Sequence, residues 1–148
     1  MRYTLGRMAR ELTDEDYQRL LDLRTGLRRF LRWSEEQAAE AGLTAAQHQL
    51  LLAIRGYLNP NGPAAAGSST GPTIGDVAET LLLRHHSAVG LVDRAVKAGL
   101  VIRQEDANDR RMVRLRLTPL GNNLLNLLSA AHLEELERLT PRMLELWA

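Results

Sequence analysis

Cysteine is absent from this chain of 148 residues, which rules out disulfide staples, thiolate metal sites and thiol-based redox sensing. No apolar run approaches the roughly 18 residues needed to cross a bilayer, and the first ten residues hold nothing resembling the apolar core of a secretory signal, so a cytoplasmic location is the default expectation and no membrane role is expected. There is no glycine-rich phosphate loop, no nucleophile elbow and no pair of acids in an apolar setting, so neither an enzyme nor a bound cofactor is expected. Four histidines are present, His48, His85, His86 and His132, but none has the spacing of a zinc motif. Neighbouring imidazoles on a helix point apart, so no metal is expected, and His85 is placed toward the core side of its helix. Repeats of about 20–50 residues are also missing.

What remains is ordinary globular material: 45% apolar and 25% charged residues, enough for one compact domain, or for one whose outer helices pack on a second copy of itself. The formal net charge is only +1, yet it is unevenly spread. Residues 84–116 hold eight Arg or Lys against four Asp or Glu, whereas residues 35–83 hold one against five. Four of those arginines, Arg110, Arg111, Arg114 and Arg116, fall within seven residues. A local basic patch attracts phosphate even in a neutral chain, because the field a ligand feels is set by nearby charge.

Periodicity and punctuation divide the chain. Thr13 followed by Asp14, Glu15 and Asp16 is a helix start. Tyr17, Leu20, Leu21, Leu27, Phe30 and Leu31 then recur at helical spacing, predicting an amphipathic helix to about residue 40. About 40 Å of helix is long for a small domain and needs a further surface to cover it. Gly42 stops that helix, and Thr44-Ala-Ala-Gln47 is a capping box opening a second helix to about Tyr57. Residues 59–72, rich in glycine, proline and small side chains, read as a flexible loop. Thr73 to Asp76 resembles another start. A short helix bearing Ile74, Val77, Ala78 and Leu81 and a further helix over about 86–98, stopped by Gly99, together suggest a helix-turn-helix. Strand character follows at Leu100 to Ile102. It returns at Val113 to Leu117, where alternation sends Val113, Leu115 and Leu117 toward a core and Arg114 and Arg116 outward, so the pair reads as a hairpin with an arginine-rich tip. Thr118-Pro119 opens a last leucine-rich helix, which Thr140-Pro141 is expected to break. Leucine-rich helices at both ends of the chain suggest a shared dimerisation layer, formed by residues 13–40 and 119–148 around a lobe spanning 44–118.

In that order, "LTAAQHQLLLAI", "TIGDVAETLLL", "RHHSAVGLVDRAVKAGLV" and "DANDRRMVRLRLTPLG" resemble the MarR family of winged-helix transcriptional regulators over roughly residues 13–139. The most specific part is the Asp-x-x-Asp-Arg-Arg wing followed by Leu-Thr-x-x-Gly. Asn108 stands where many relatives have a further basic residue, and Ala107 where proline is frequent. The resemblance implies a mainly α fold with a small β-wing, a homodimer whose terminal helices interlock, and two winged helix-turn-helix lobes on one face of double-stranded DNA. It further implies a repressor, often released by a small aromatic or phenolic effector.

The side-chain chemistry fits. With Val89, Val92 and Val96 facing inward, Ser87, Leu91 and Arg94 turn outward and His86 flanks them. Ser87 and His86 offer hydrogen bonds to bases or phosphates, Arg84 and Arg94 suit backbone contacts, and Leu91 could touch a thymine methyl. In the wing, Asp109 and Arg111 match the family's Asp-x-Arg pair. An extended arginine is drawn into a narrow minor groove, and a nearby carboxylate can fix its orientation, with Arg110 as the other candidate for the groove. Phe30, Trp33, His48 and Arg55 are candidate walls of an effector crevice between the dimer helices and the lobe. The competing expectation is a helical adaptor that dimerises without DNA. It predicts self-association but no salt-dependent affinity for a duplex.

Overall fold

The computed structural model describes residues 10–57 and 71–147. Among these lie five helices and one hairpin: α1 (Asp14–Glu40), α2 (Ala45–Arg55), α3 (Ile74–Leu81), α4 (His85–Lys97), β1 (Val101–Glu105), β2 (Val113–Leu117) and α5 (Pro119–Trp147). Most of the segment read as a flexible loop falls outside the described residues. Its last two, Gly71 and Pro72, are held against β2, where Pro72 O accepts from Leu115 N at 2.8 Å.

Three helices begin with one device. Thr13, Thr44 and Thr73 each accept from the backbone amide three residues on, while Asp16, Gln47 and Asp76 return a bond to the threonine's own N–H. Each box satisfies two amides that would otherwise be unpaired. Thr118 caps α5 in a related way, its hydroxyl accepting from Gly121 N at 3.0 Å. The helix ends also repeat. Gly42 and Gly99 take left-handed conformations (φ +79° and +74°), and the residue after each donates back into the last turn, Leu43 to Ala38 and Leu100 to Ala95. At the end of α3 the same closure is made by Leu82, with φ 56°.

One core joins the elements. Leu50, Leu51 and Ile54 of α2 meet Val77 of α3, Leu91, Val92 and Ala95 of α4, Val101 and Leu115 of the hairpin, and Leu125 and Leu128 of α5. The antiparallel register pairs Val101 with Leu117 and Glu105 with Val113, so the root of the hairpin is buried and its far end leaves the core. At the start of α5, Gly121 is pressed against the root of β1: a Cβ there would stand 2.2 Å from Leu100 O. By contrast, α1 buries only Ala38. Tyr17, Leu20, Leu21, Leu27 and Leu31 are exposed, as are Leu127, Leu133, Leu136 and Leu144 of α5.

The structure corrects several expectations. The inward face of α4 centres on Ala88, Leu91, Val92 and Ala95, with Val89 and Val96 half-buried at its margins. Leu91 is therefore core and unable to meet a thymine methyl, and His85, expected on the core side, is exposed. Val113 lies on the face predicted, but beyond the edge of the core, and is exposed. Arg114 points to the other face yet is largely covered, bonded to Asp106 and to Gly71 O. Pro141 does not break α5, which continues to Trp147. A proline removes the amide that would bond the carbonyl four residues back, here that of Glu137. That turn is exposed, so water can serve the freed carbonyl.

Candidate nucleic-acid interface

Among the described helices, α4 is the one whose start carries no side-chain cap: Arg84 occupies the cap position without a capping bond. The first turn holds no acid. Its unpaired amides and the positive end of the helix dipole are therefore open to an anion. Around them Arg84, His86 and Ser87 are exposed. Arg94, also exposed, folds back along the helix, and a Cβ on Gly90 would come within 3.2 Å of its Nη1. Among the described residues, no hydrogen bond or ion pair engages the side chains of Arg84, His86, Ser87, Arg94 or Arg110. On the neighbouring strand Arg103 pairs with Asp93 of α4, which ties the wing to the helix.

The wing tip is more ordered than a polar turn requires. Arg111 lies 91% exposed and is held from one side only: Asp109 Oδ1 accepts from its backbone N at 3.0 Å and from its Nε at 3.2 Å. Among the described residues neither Nη group has a hydrogen-bond partner. Behind it, Asp106 is 9% exposed. Its Oδ1 accepts from Asn108 N at 2.8 Å and Asp109 N at 3.1 Å, and its Oδ2 accepts from Arg114 Nε at 3.0 Å. The backbone donor at Asn108, then Arg114 and the donor at Asp109, hold the Asp106 carboxyl below its ordinary range. Sequence reasoning placed Asp106 in the wing motif without assigning it a role, and misplaced Arg114. The available signal was the Asx pattern of an aspartate two and three residues before donors at a turn.

Of the proposed effector residues, three come together. Phe30 and Trp33 of α1 and His48 of α2 gather round His132 of α5, with ring centroids 5.9, 4.8 and 4.8 Å from the His132 ring. His132 Nδ1 lies 2.7 Å from Leu128 O and its Nε2 lies 2.7 Å from Ser34 Oγ. A carbonyl can only accept, so Nδ1 carries the proton and, in the neutral ring, Nε2 accepts from Ser34. Burial, and then the neighbouring His132, push the His48 imidazole below its ordinary value. Arg55 is exposed and does not join this cluster. Among the described residues no group of three or more His, Cys, Asp or Glu is placed to hold a metal, and no helix is long and apolar enough to cross a membrane.

Residues 41–112 match the model of the MarR family. No curated protein matches the chain in sequence. Among solved structures the chain is similar to AbsC, a MarR family transcriptional regulator from Streptomyces coelicolor, with TM-score 0.67 and 20% identity over 88% of this chain and 81% of that one. It is also similar to S. aureus MepR in complex with DNA, with TM-score 0.62 and 18% identity over 89% of this chain and 85% of that one. A third similar structure is CouR from Rhodococcus jostii RHA1 bound to p-coumaroyl-CoA, with TM-score 0.63 and 25% identity over 80% of this chain and 74% of that one. Residues 41–112 thus resemble the MarR family of transcription regulators, and the fold around them is the winged-helix fold of solved members of that family.

Proposed function

We propose that the protein binds duplex DNA as a homodimer, represses transcription from a pseudo-palindromic operator, and is released by a small aromatic effector. One observation carries the DNA-binding part: the uncapped start of α4 and the wing tip both present exposed basic side chains, Arg84, Arg94 and Arg110 without a hydrogen bond or ion pair among the described residues, and Arg111 held by Asp109 alone with its side chain 91% exposed. Side chains at the start of α4, Ser87 and His86, would reach base edges in the major groove, while Arg84 and Arg94 would meet phosphates. Arg111, oriented by Asp109, would enter the adjacent minor groove, with Arg110 on the flanking phosphates.

Dimerisation is supported by the apolar faces of α1 and α5, which lie beside each other and are left exposed among the described residues. Apolar surface on this scale is a usual mark of an interface. A two-fold pair sets two copies of α4 about one DNA turn apart, roughly 34 Å. An effector wedged at the Phe30, Trp33, His48 and His132 cluster, where α1, α2 and α5 meet, would alter that spacing. It would release DNA only in so far as it binds the altered spacing more tightly.

The test is a titration of a fluorescent random duplex at two salt concentrations, alongside light scattering. The expected result is a dimer whose affinity drops steeply with salt. A dimer with no measurable duplex affinity at low salt would favour the adaptor alternative instead.

A further inference from the structure

We infer that Asp106 and Arg114 are positioning residues for DNA recognition: they form a relay that locks the wing's Arg111 into the same frame as the reading helix α4. The inference rests on the proposal that Arg111 enters a groove, and goes beyond it by assigning what sets the reach of that side chain.

The relay can be followed atom by atom. Gly71 O accepts from Arg114 Nη1 at 3.2 Å, and Arg114 Nε donates to Asp106 Oδ2 at 3.0 Å. Asp106 Oδ1 then accepts from the amides of Asn108 and Asp109, and Asp109 Oδ1 accepts from the backbone N and Nε of Arg111. Arg111 is thus held by Asp109, Asp109 by Asp106, and Asp106 by Arg114. At its other end the relay reaches the residues entering α3. Pro72 O accepts from Leu115 N, and Thr73 caps α3. Helix α3 in turn packs on α4 through the core shared by Val77, Leu91 and Val92. Gly71 is fitted to this joint: a Cβ there would lie 2.2 Å from Leu115 O.

A hairpin needs only the Asx bonds of Asp106 to turn. The second carboxylate oxygen and the guanidinium that crosses to Gly71 exceed that need. Burying an ion pair contributes little net stability, because desolvation offsets most of the attraction, but it does select one geometry. The geometry selected here is the separation between the wing arginine and α4. A protein that reads a major groove and the neighbouring minor groove together must hold that separation fixed.

A double-mutant cycle on duplex affinity tests the relay, using a duplex that the wild-type protein selects from a random pool. Asp106→Asn keeps an acceptor for the tip amides but loses the charge that holds Arg114. Arg114→Lys keeps the charge but cannot span Asp106 and Gly71 together. Each variant is expected to weaken binding about tenfold with the dimer still folded, and to do so less than twofold once Arg111→Ala is present. Losses that add fully to that of Arg111→Ala would overturn the inference. Independently of DNA, hydrogen exchange at the Arg111 backbone amide is expected to speed up in both variants. An unchanged rate there would also overturn the relay, even if affinity fell. Arg111→Ala binding as tightly as wild type would sink the groove assignment alone, with the exchange rates still deciding whether Asp106 and Arg114 hold Arg111.

Discussion

Leu82 is the one described residue other than glycine with a positive φ, and relieving it should stabilise the protein. The residue closes α3 at φ 56°, ψ 42°, a role that Gly42 and Gly99 fill at the ends of α1 and α4. A left-handed conformation costs a leucine roughly 1–2 kcal/mol. Its side chain is 92% exposed, so truncation forfeits almost no burial. Leu82→Gly removes the steric cost but gives the unfolded chain more freedom, worth about 0.5–1 kcal/mol in the other direction. The balance is a gain of about 0.5–1 kcal/mol, or a rise in Tm of about 1–4 °C for a chain of this size. Thermal and urea unfolding at one fixed protein concentration would measure it, since the proposed self-association would make apparent stability depend on concentration. Leu82→Ala is the control: it deletes the side chain and keeps most of the strain, so it should lie near wild type. If both variants were destabilised equally, the leucine side chain would be making contacts in the folded assembly, and the assignment of strain would be wrong.

Other outcomes follow from the same geometry. Gly121→Ala must push α5 off Leu100 O, and is expected to cost about 1–3 kcal/mol in thermal unfolding. Leu51→Ala, at a fully buried site, should cost about 2–5 kcal/mol in a denaturant titration. Arg111→Ala should weaken duplex binding by about 1–3 kcal/mol in fluorescence anisotropy while leaving the unfolding curve in place. The His48 imidazole titrates below its ordinary 6.5 in the folded chain, so below 6.5 the unfolded state takes up the proton first. Its contribution to stability is complete above that pH and is lost as pH falls through the folded value. Urea midpoints measured across this window should fall for wild type, and less so for His48→Gln.

The local grammar of the chain was legible because it is carried by short patterns. Thr13, Thr44 and Thr73 with their partners three residues on marked three helix starts. Gly42 and Gly99 marked two ends, and the alternation at Val113 to Leu117 marked the second strand. The rotation of α4 was harder to read. Both Val89, Val92, Val96 and Ala88, Leu91, Val92, Ala95 are apolar sets at helical spacing, and only the packing of α2, α3 and β1 decides between them. Arg114 looked outward by parity, since nothing local reveals that Gly71, 43 residues away, closes over it. Pro141 was over-weighted because an exposed helix can leave a carbonyl to water. At the candidate site, exposed polar residues were readable one at a time. The gathering of Phe30, Trp33 and His48 round His132 depends on three helices meeting, and His132 was passed over because its partners are distant in sequence.

The contact at Gly121 makes α5 a lever with its fulcrum at the root of the wing. The helix has 29 residues, or about 44 Å at roughly 1.5 Å per residue. Because backbone rests on backbone at that pivot, no soft side chain cushions the seat. A tilt of about 5° over such an arm carries its far tip roughly 4 Å. Small adjustments where the hairpin is rooted are thus magnified at the opposite end of the molecule, and a displacement imposed there is geared down to a fine movement of the hairpin.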